Sequence, residues 1–135
     1  MTRRNPLGRR RAVAAVELAV LLPLLGLLFV LAVDFARIFY FSMAVTNCAR
    51  NGALYASLNP TNALDSTGIE TAARKDASSL TGATVTSTPD NTTAPNYVDV
   101  TVSYSFSTLT SFPGVPSTFT VARKVRFNVA PLIPG

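Results

Sequence analysis

Residues 12–33 read AVAAVELAVLLPLLGLLFVLAV, twenty-two positions with a single charge at Glu17. As a helix this run is ~33 Å long, close to the ~30 Å hydrocarbon core of a bilayer, and it predicts a spanning segment. Arg3, Arg4, Arg9, Arg10 and Arg11 precede it. Under the positive-inside rule these arginines keep the N-terminus in the cytoplasm and put everything after Asp34 outside. A secretory signal cut after Ala32, with Val30 at −3, is an alternative reading of the same segment, and an uncleaved anchor is another. The apolar run exceeds an ordinary signal h-region, contains an acid, and carries a helical pattern past that cut. A carboxylate such as Glu17 costs roughly 2.5–3.5 kcal/mol at the centre of a spanning helix and less near an interface, so it calls for a named partner. The plainer account has Glu17, five residues into the run, snorkelling to the cytoplasmic headgroups.

The charge balance supports a division of the chain at this point. Of 135 residues, 48% are hydrophobic and only 14% charged, and the formal charge is +5. From Ala12 onward seven basic residues face seven acidic ones and cancel, so the whole excess belongs to the leader. A folded basic face for nucleic acid is therefore not expected. The sequence has no histidine, which removes the commonest general base and metal ligand. Its one cysteine, Cys48, forbids an intramolecular disulfide, leaving a buried thiol or a bridge between two copies. The acids are scattered and the glycines form no phosphate loop, so neither a catalytic site, a metal site, a cofactor nor a small-molecule substrate is expected.

The stretch Arg9-Arg10-Arg11-Ala12-Val13-Ala14-Ala15-Val16-Glu17-Leu18-Ala19, with Leu22-Pro23 after it, resembles the processing region of type IV prepilin-like proteins. More specifically, it resembles the TadE-like pseudopilins of the tight-adherence (Flp-type) pilus system. Asp34-Phe35-Ala36-Arg37 and Asn47-Cys48-Ala49-Arg50-Asn51-Gly52-Ala53-Leu54-Tyr55-Ala56 extend the likeness, which covers about residues 9–58. In that family a prepilin peptidase cuts a basic leader after a small residue, and a glutamate stands fifth in the mature chain. Counting back from Glu17 puts the junction between Ala12 and Val13. Ala12 stands where glycine is usual, and Leu18 where an aromatic often follows the glutamate. The resemblance implies that Glu17 pairs with the terminal amine of a neighbouring subunit. That amine, created at Val13 by the cut, is largely cationic at neutral pH. The implied family-motif positions are Pro23, Asp34, Phe35, Arg37, Asn47, Ala49, Arg50 and Gly52.

Past the span, Phe35, Ile38, Val45, Ala49, Ala53 and Ala56 form one stripe, while Asp34, Arg37, Asn47, Arg50 and Asn51 occupy polar positions. One helix is expected from about Ala12 to Ser57, loosened at Pro23 and ended by Asn59-Pro60. Phe39, Tyr40 and Phe41 read as interfacial anchors or packing residues. Residues 59–67 read as a polar loop. The Thr67-to-Glu70 spacing predicts a capping box opening a helix to about Leu80, with Ile69, Ala72, Ala73, Ala77 and Leu80 inward. A period of two then marks strands at Val98–Phe106 and Phe119–Val129, with a weaker one at 83–88; Arg123 breaks the second alternation and suggests an edge or a bulge. The 77 residues from Asn59 to Gly135 are marginal as an independent core and would lean on the long helix.

The expectation is an α+β, pilin-like protein with a basic leader at 1–12, a membrane and stalk helix at 13–58 and a small antiparallel head at 59–135. As the resemblance implies, it is a non-enzymatic minor pilin-like subunit of a bacterial inner membrane, cut by a prepilin peptidase. Its partners would be the membrane, other pilin-like subunits and the pilus assembly platform. The alternative is a passively anchored or secreted envelope protein whose head binds an unnamed ligand.

Overall fold

The computed structural model describes residues 6–75, 77, 79–109 and 116–131, with side chains from Ala12 onward. Helix α1 runs from Pro6 to Ser57, 52 residues or ~78 Å, and includes Pro23 without ending there. It starts six residues before the expected Ala12. The arginine-rich residues 9–11 contain no helix breaker, so nothing in them stops the backbone pattern from extending toward the N-terminus.

Two short helices follow. The expected polar loop after Ser57 contains α2, Pro60–Leu64, and the signal for it lay in Asn59-Pro60. The Asn59 Oδ1 accepts the Asn62 N–H at 2.8 Å, and Pro60 takes the first helical position, where its missing N–H costs nothing. Helix α3 spans Ser66–Arg74, not Thr67 to Leu80. Its cap is Asp65, whose Oδ1 accepts the Gly68 N–H at 2.9 Å. Glu70 closes no capping box; it pairs with Arg74 one turn on, at 2.9 Å. Ala77, Leu80 and Ala83 are still buried, but through successive three-residue turns in which each N–H bonds the carbonyl three positions back. Their spacing of three fits such turns, whereas an α-helical stripe needs alternating threes and fours.

The cap of α3 has a second layer. The Tyr55 hydroxyl on α1 donates to Asp65 Oδ2 at 3.0 Å, so one carboxylate joins both helices. The Gly68 N–H and this hydroxyl hold Asp65 below the usual carboxylate range, and the Tyr55 hydroxyl is correspondingly raised. A β-carbon on Gly68 would run into both the Asp65 carboxylate and the Tyr55 ring. Gly68→Ala is therefore expected to lower unfolding stability by about 1–3 kcal/mol despite alanine's better helix propensity, as urea titration would measure.

Strands β1 (Thr84–Pro89), β2 (Tyr97–Ser107) and β3 (Thr118–Asn128) form an antiparallel meander with β2 central. Pairing of β2 with β3 is continuous from Tyr97↔Asn128 to Ser107↔Thr118, so Arg123 marks an edge strand and not a bulge. It lies on the face turned to α1 and donates to the Ser42 Oγ at 2.9 Å, which accounts for the broken alternation. That same face supplies Val98, Val100, Val102, Phe106 and Val121 to the core. Against them α1 presents Val45, Cys48, Ala49, Ala53 and Ala56, with Ile69 of α3 completing the cluster. The head therefore has no separate core; its interior is closed by the second half of α1.

The outer face of the sheet holds one buried acid. Asp99 takes a two-pronged bond from Arg126, 2.7 and 2.8 Å, and an ion pair from Lys124 at 2.7 Å. Arg126 also lies over the Tyr97 ring, 4.0 Å from its centre. Hydrogen bonding from Arg126, outweighing desolvation, holds the Asp99 carboxyl far below its ordinary value, with Lys124 adding to the effect. A carboxyl depressed on folding contributes stability above its unfolded value of ~3.9 and loses it as pH falls through the folded value. Asp99→Asn should therefore flatten the loss of stability on acidification below about pH 4, and at neutral pH cost on the order of 1 kcal/mol, since both cations stay mostly exposed. Thermal unfolding across a pH series checks both.

Candidate functional site

The most apolar eighteen-residue window of α1 has none of its residues buried against the rest of the chain. Among the described residues α1 is the one helix long and apolar enough to cross a membrane. Val13, Val16, Leu18, Leu22 and Leu25 all stand open, and Ala12 and Val13 lie within continuous helix. Glu17 is exposed in a shallow depression with Val16, Val20 and Leu21. A bare apolar helix bearing one carboxylate requires lipid or other helices around it, because water alone would leave its whole surface exposed.

The junction between this helix and the head is built by Asp34 and Arg37. The helical pattern assigned both to a solvent-facing polar side, and the structure corrects this: Asp34 is only 5% exposed. Its Oδ1 accepts the backbone N–H of Leu109 at 2.9 Å, across 75 residues of sequence. Arg37 lies 3.6 Å from the same carboxylate, donates to the Ser107 carbonyl at 3.2 Å and sits 5.5 Å from the centre of the Phe106 ring. Strand β1 pairs with β2 only from Val98 to Ser103, so beyond it the Ser107 carbonyl and the Leu109 N–H have no β1 partner and the helix side chains bond them instead. Phe35 was expected on the packed stripe but is 70% exposed; one position from buried Asp34 on a helix, it is turned away from the sheet. Of the three aromatics that follow, Phe41 packs on Tyr104 and Phe106, 4.9 and 4.6 Å between ring centres, while Phe39 and Tyr40 stay exposed.

Higher on α1, Ala49 and Gly52 are buried, and Asn47 and Arg50 are exposed. A β-carbon at Gly52 would sit 3.2 Å from the Ala73 Cβ and 3.3 Å from the Ile69 carbonyl, so glycine here lets α3 approach the long helix closely. Arg50 borders a cleft of about 410 Å³ with Tyr40, Met43, Asn47 and Ser79. The motif positions thus divide in two. Asp34, Arg37, Ala49 and Gly52 join helix to head, while Glu17, Pro23, Phe35, Asn47 and Arg50 are exposed. Ser107 and Leu109 were not foreseen: they act through backbone atoms, which leave no mark on residue type.

No curated protein and no solved structure matches the chain. A family model does: that of the TadE-like proteins matches residues 12–54, the stretch holding the bare apolar helix, the Asp34–Arg37 junction and the small-residue face, and it is the family that these residues resemble.

Proposed function

We propose that the chain is a minor pilin-like subunit acting in assembly of a tight-adherence (Flp-type) pilus or a related secretion apparatus. It is a structural part and not an enzyme. The observation that carries this reading is the coincidence of the TadE-like match at residues 12–54 with an α1 whose apolar window, Glu17 included, is not buried by any other part of the described residues. In this reading α1 crosses the bacterial inner membrane once, leader inside and head outside. A prepilin peptidase removes residues 1–12 between Ala12 and Val13. The new amine of Val13 then pairs with Glu17 of a neighbouring pilin-like subunit as α1 is handed from lipid to the assembly platform. Two charges that are each unfavourable in an apolar setting become one desolvated pair, which fixes the register between subunits. Pairing waits for the cut, because the intact chain has an amide at Val13.

Intact mass of the protein extracted from membranes of cells with the peptidase, and of cells without it, tests the reading. A mature chain starting at Val13 is expected only where the peptidase is present. A start at Val33 would identify a secretory signal, and an uncut Met1 in both strains would identify a plain anchor. The secretory alternative also has to account for α1 running unbroken across Ala32–Val33 into the core of the head.

A further inference from the structure

We propose that the two open edges of the sheet meet between copies of this chain: β1 of one copy adds, as a parallel strand, to the free edge of β3 on the next. The inference rests on the reading that α1 spans the membrane, which stands every copy the same way up. In the three-stranded sheet β1 and β3 are the two outer strands. The Thr108 N–H bonds the Ser117 carbonyl and the Val129 N–H bonds the Asn96 carbonyl, each one step beyond the β2–β3 register. Bonding alternates along an antiparallel ladder, so odd-numbered residues of β3 exchange bonds with β2 and even-numbered ones turn outward. Ala130, in step with the outward set, gives its N–H to the Ser57 carbonyl. For Lys124, Arg126 and Asn128, no described residue bonds the outward backbone groups. The Asp90 N–H bonds the Tyr97 carbonyl, and by the same count Val85 and Ser87 face outward on β1. An edge left unpaired in this way is a template for another strand.

Geometry selects which edges meet. Strands β1 and β3 both run antiparallel to β2 and hence parallel to each other, β3 rising from near Ser107, which Arg37 holds, to Ala130 beside the end of α1. Two β3 edges could pair antiparallel only if one copy were inverted in the membrane. They cannot pair as parallel strands at one height either, because a parallel ladder staggers the outward residues by one position and identical strands are in step. Strands β1 and β3 differ by that one step: Ser87 and Val125 both lie opposite Val100, so at equal height Ser87 falls between Lys124 and Arg126. The Ser87 N–H then donates to the Lys124 carbonyl and the Arg126 N–H to the Ser87 carbonyl, with the Lys124 N–H donating to the Val85 carbonyl. The join is bounded at both ends. Arg123 already donates to the Ala122 carbonyl at 3.1 Å, and Pro89 has no N–H to give. Charge agrees with this choice. Lys124 and Arg126 would repel a second β3, but each is drawn onto Asp99 at 2.7 Å, and β1 brings only the uncharged Thr86 and Thr88 alongside them.

The test uses the full-length protein with Cys48→Ala, reconstituted in phosphatidylcholine–phosphatidylglycerol vesicles and oxidised at low protein density. One population carries Thr86→Cys and the other Lys124→Cys, exposed positions on the same outer face that the join sets about 4.8 Å apart, within disulfide reach. Arg126 keeps its two-pronged hold on Asp99 in the second variant. Mixing the two is expected to give a disulfide dimer several-fold more abundant than either variant gives alone. A protein carrying both cysteines should give a ladder of higher species, since an interface between unlike edges repeats from copy to copy. Ser87→Pro removes the outward N–H and leaves the bonds to β2 in place, so it should cut the mixed dimer several-fold without moving thermal unfolding of the head. A mixed dimer no more abundant than the self-dimers overturns the proposal, as does a yield that Ser87→Pro leaves unchanged. Alkaline carbonate extraction of the same vesicles separates the two levels. Protein that stays with lipid but forms no mixed dimer defeats only the edge contact, whereas protein released into the wash defeats the spanning reading and the contact together.

Discussion

Glu17→Ala is expected to leave the protein membrane-inserted and its head folded, yet to remove it from complexes with other pilin-like subunits. Insertion should improve, since a carboxylate costs roughly 2.5–3.5 kcal/mol at the centre of a spanning helix and a smaller amount near its end, where Glu17 lies. The head should be untouched, because Glu17 lies in the apolar window of α1, none of which is buried against the rest of the described residues. Assembly is where the loss falls. On the proposed pairing, the Val13 amine of a neighbour would then enter an apolar interface with no counter-charge, at a cost of ~3–5 kcal/mol, which is roughly a hundredfold to several thousandfold in association. Glu17→Gln keeps shape and a hydrogen-bonding group but not the charge, so it should fail nearly as badly if the contact is ionic. Cross-linking and co-purification from membranes measure this, with unfolding of the head as the control. Co-assembly of both variants at the level of the unsubstituted protein would overturn the role given to Glu17.

The parts of the fold legible in the sequence were those in which a repeating pattern was long. A run of twenty-two positions with a single charge marked α1, and the alternation of Val98, Val100, Val102, Tyr104 and Phe106 with polar residues marked β2 and the face it buries. Short elements were misjudged because one or two side chains decide them. Asn59 capping Asn62 made α2 out of an apparent loop, and Asp65, two residues before the Thr67 that the spacing favoured, became the cap of α3. Periodicity also equates polar with exposed, and this failed at Asp34. A helix side chain that faces the end of a strand meets unpaired backbone N–H and C=O groups, and there a carboxylate and a guanidinium are the complementary choice. Arg123 breaks the β3 alternation for a related reason, since its partner is a helix serine and not solvent. Of the candidate site, the residues were legible and their division was not, because which face of α1 meets the head depends on contacts 70 and 75 residues away in sequence.

Asp34→Ala is expected to be the most damaging single change to the head, with Asp34→Asn intermediate and Phe35→Ala close to neutral. Alanine removes the acceptor of the Leu109 N–H and the anion beside Arg37 while leaving both groups in place. A hydrogen bond to a charged group contributes ~1.5–3 kcal/mol, and the part-buried Leu109 donor, once unsatisfied, can turn partly to water, so a loss of ~1.5–3 kcal/mol is expected. In a head whose interior is closed by one face of α1 that is a large share of an ordinary domain stability of ~5–15 kcal/mol. Asparagine can still offer an oxygen to the Leu109 N–H and forfeits only the ion pair, so about 1 kcal/mol should go, most of it at low salt. Phe35 is the informative neighbour: it shares the motif but not the contact, and its removal should leave head stability within ~0.5 kcal/mol. Thermal unfolding in detergent ranks the three variants, and amide exchange locates the effect. For Asp34→Ala the Leu109 amide should exchange faster before the β2–β3 ladder does, because the ladder from Tyr97↔Asn128 to Ser107↔Thr118 does not depend on the clamp. Equal stability of the alanine and asparagine variants would mean that charge and not the backbone bond is what ties the sheet to α1.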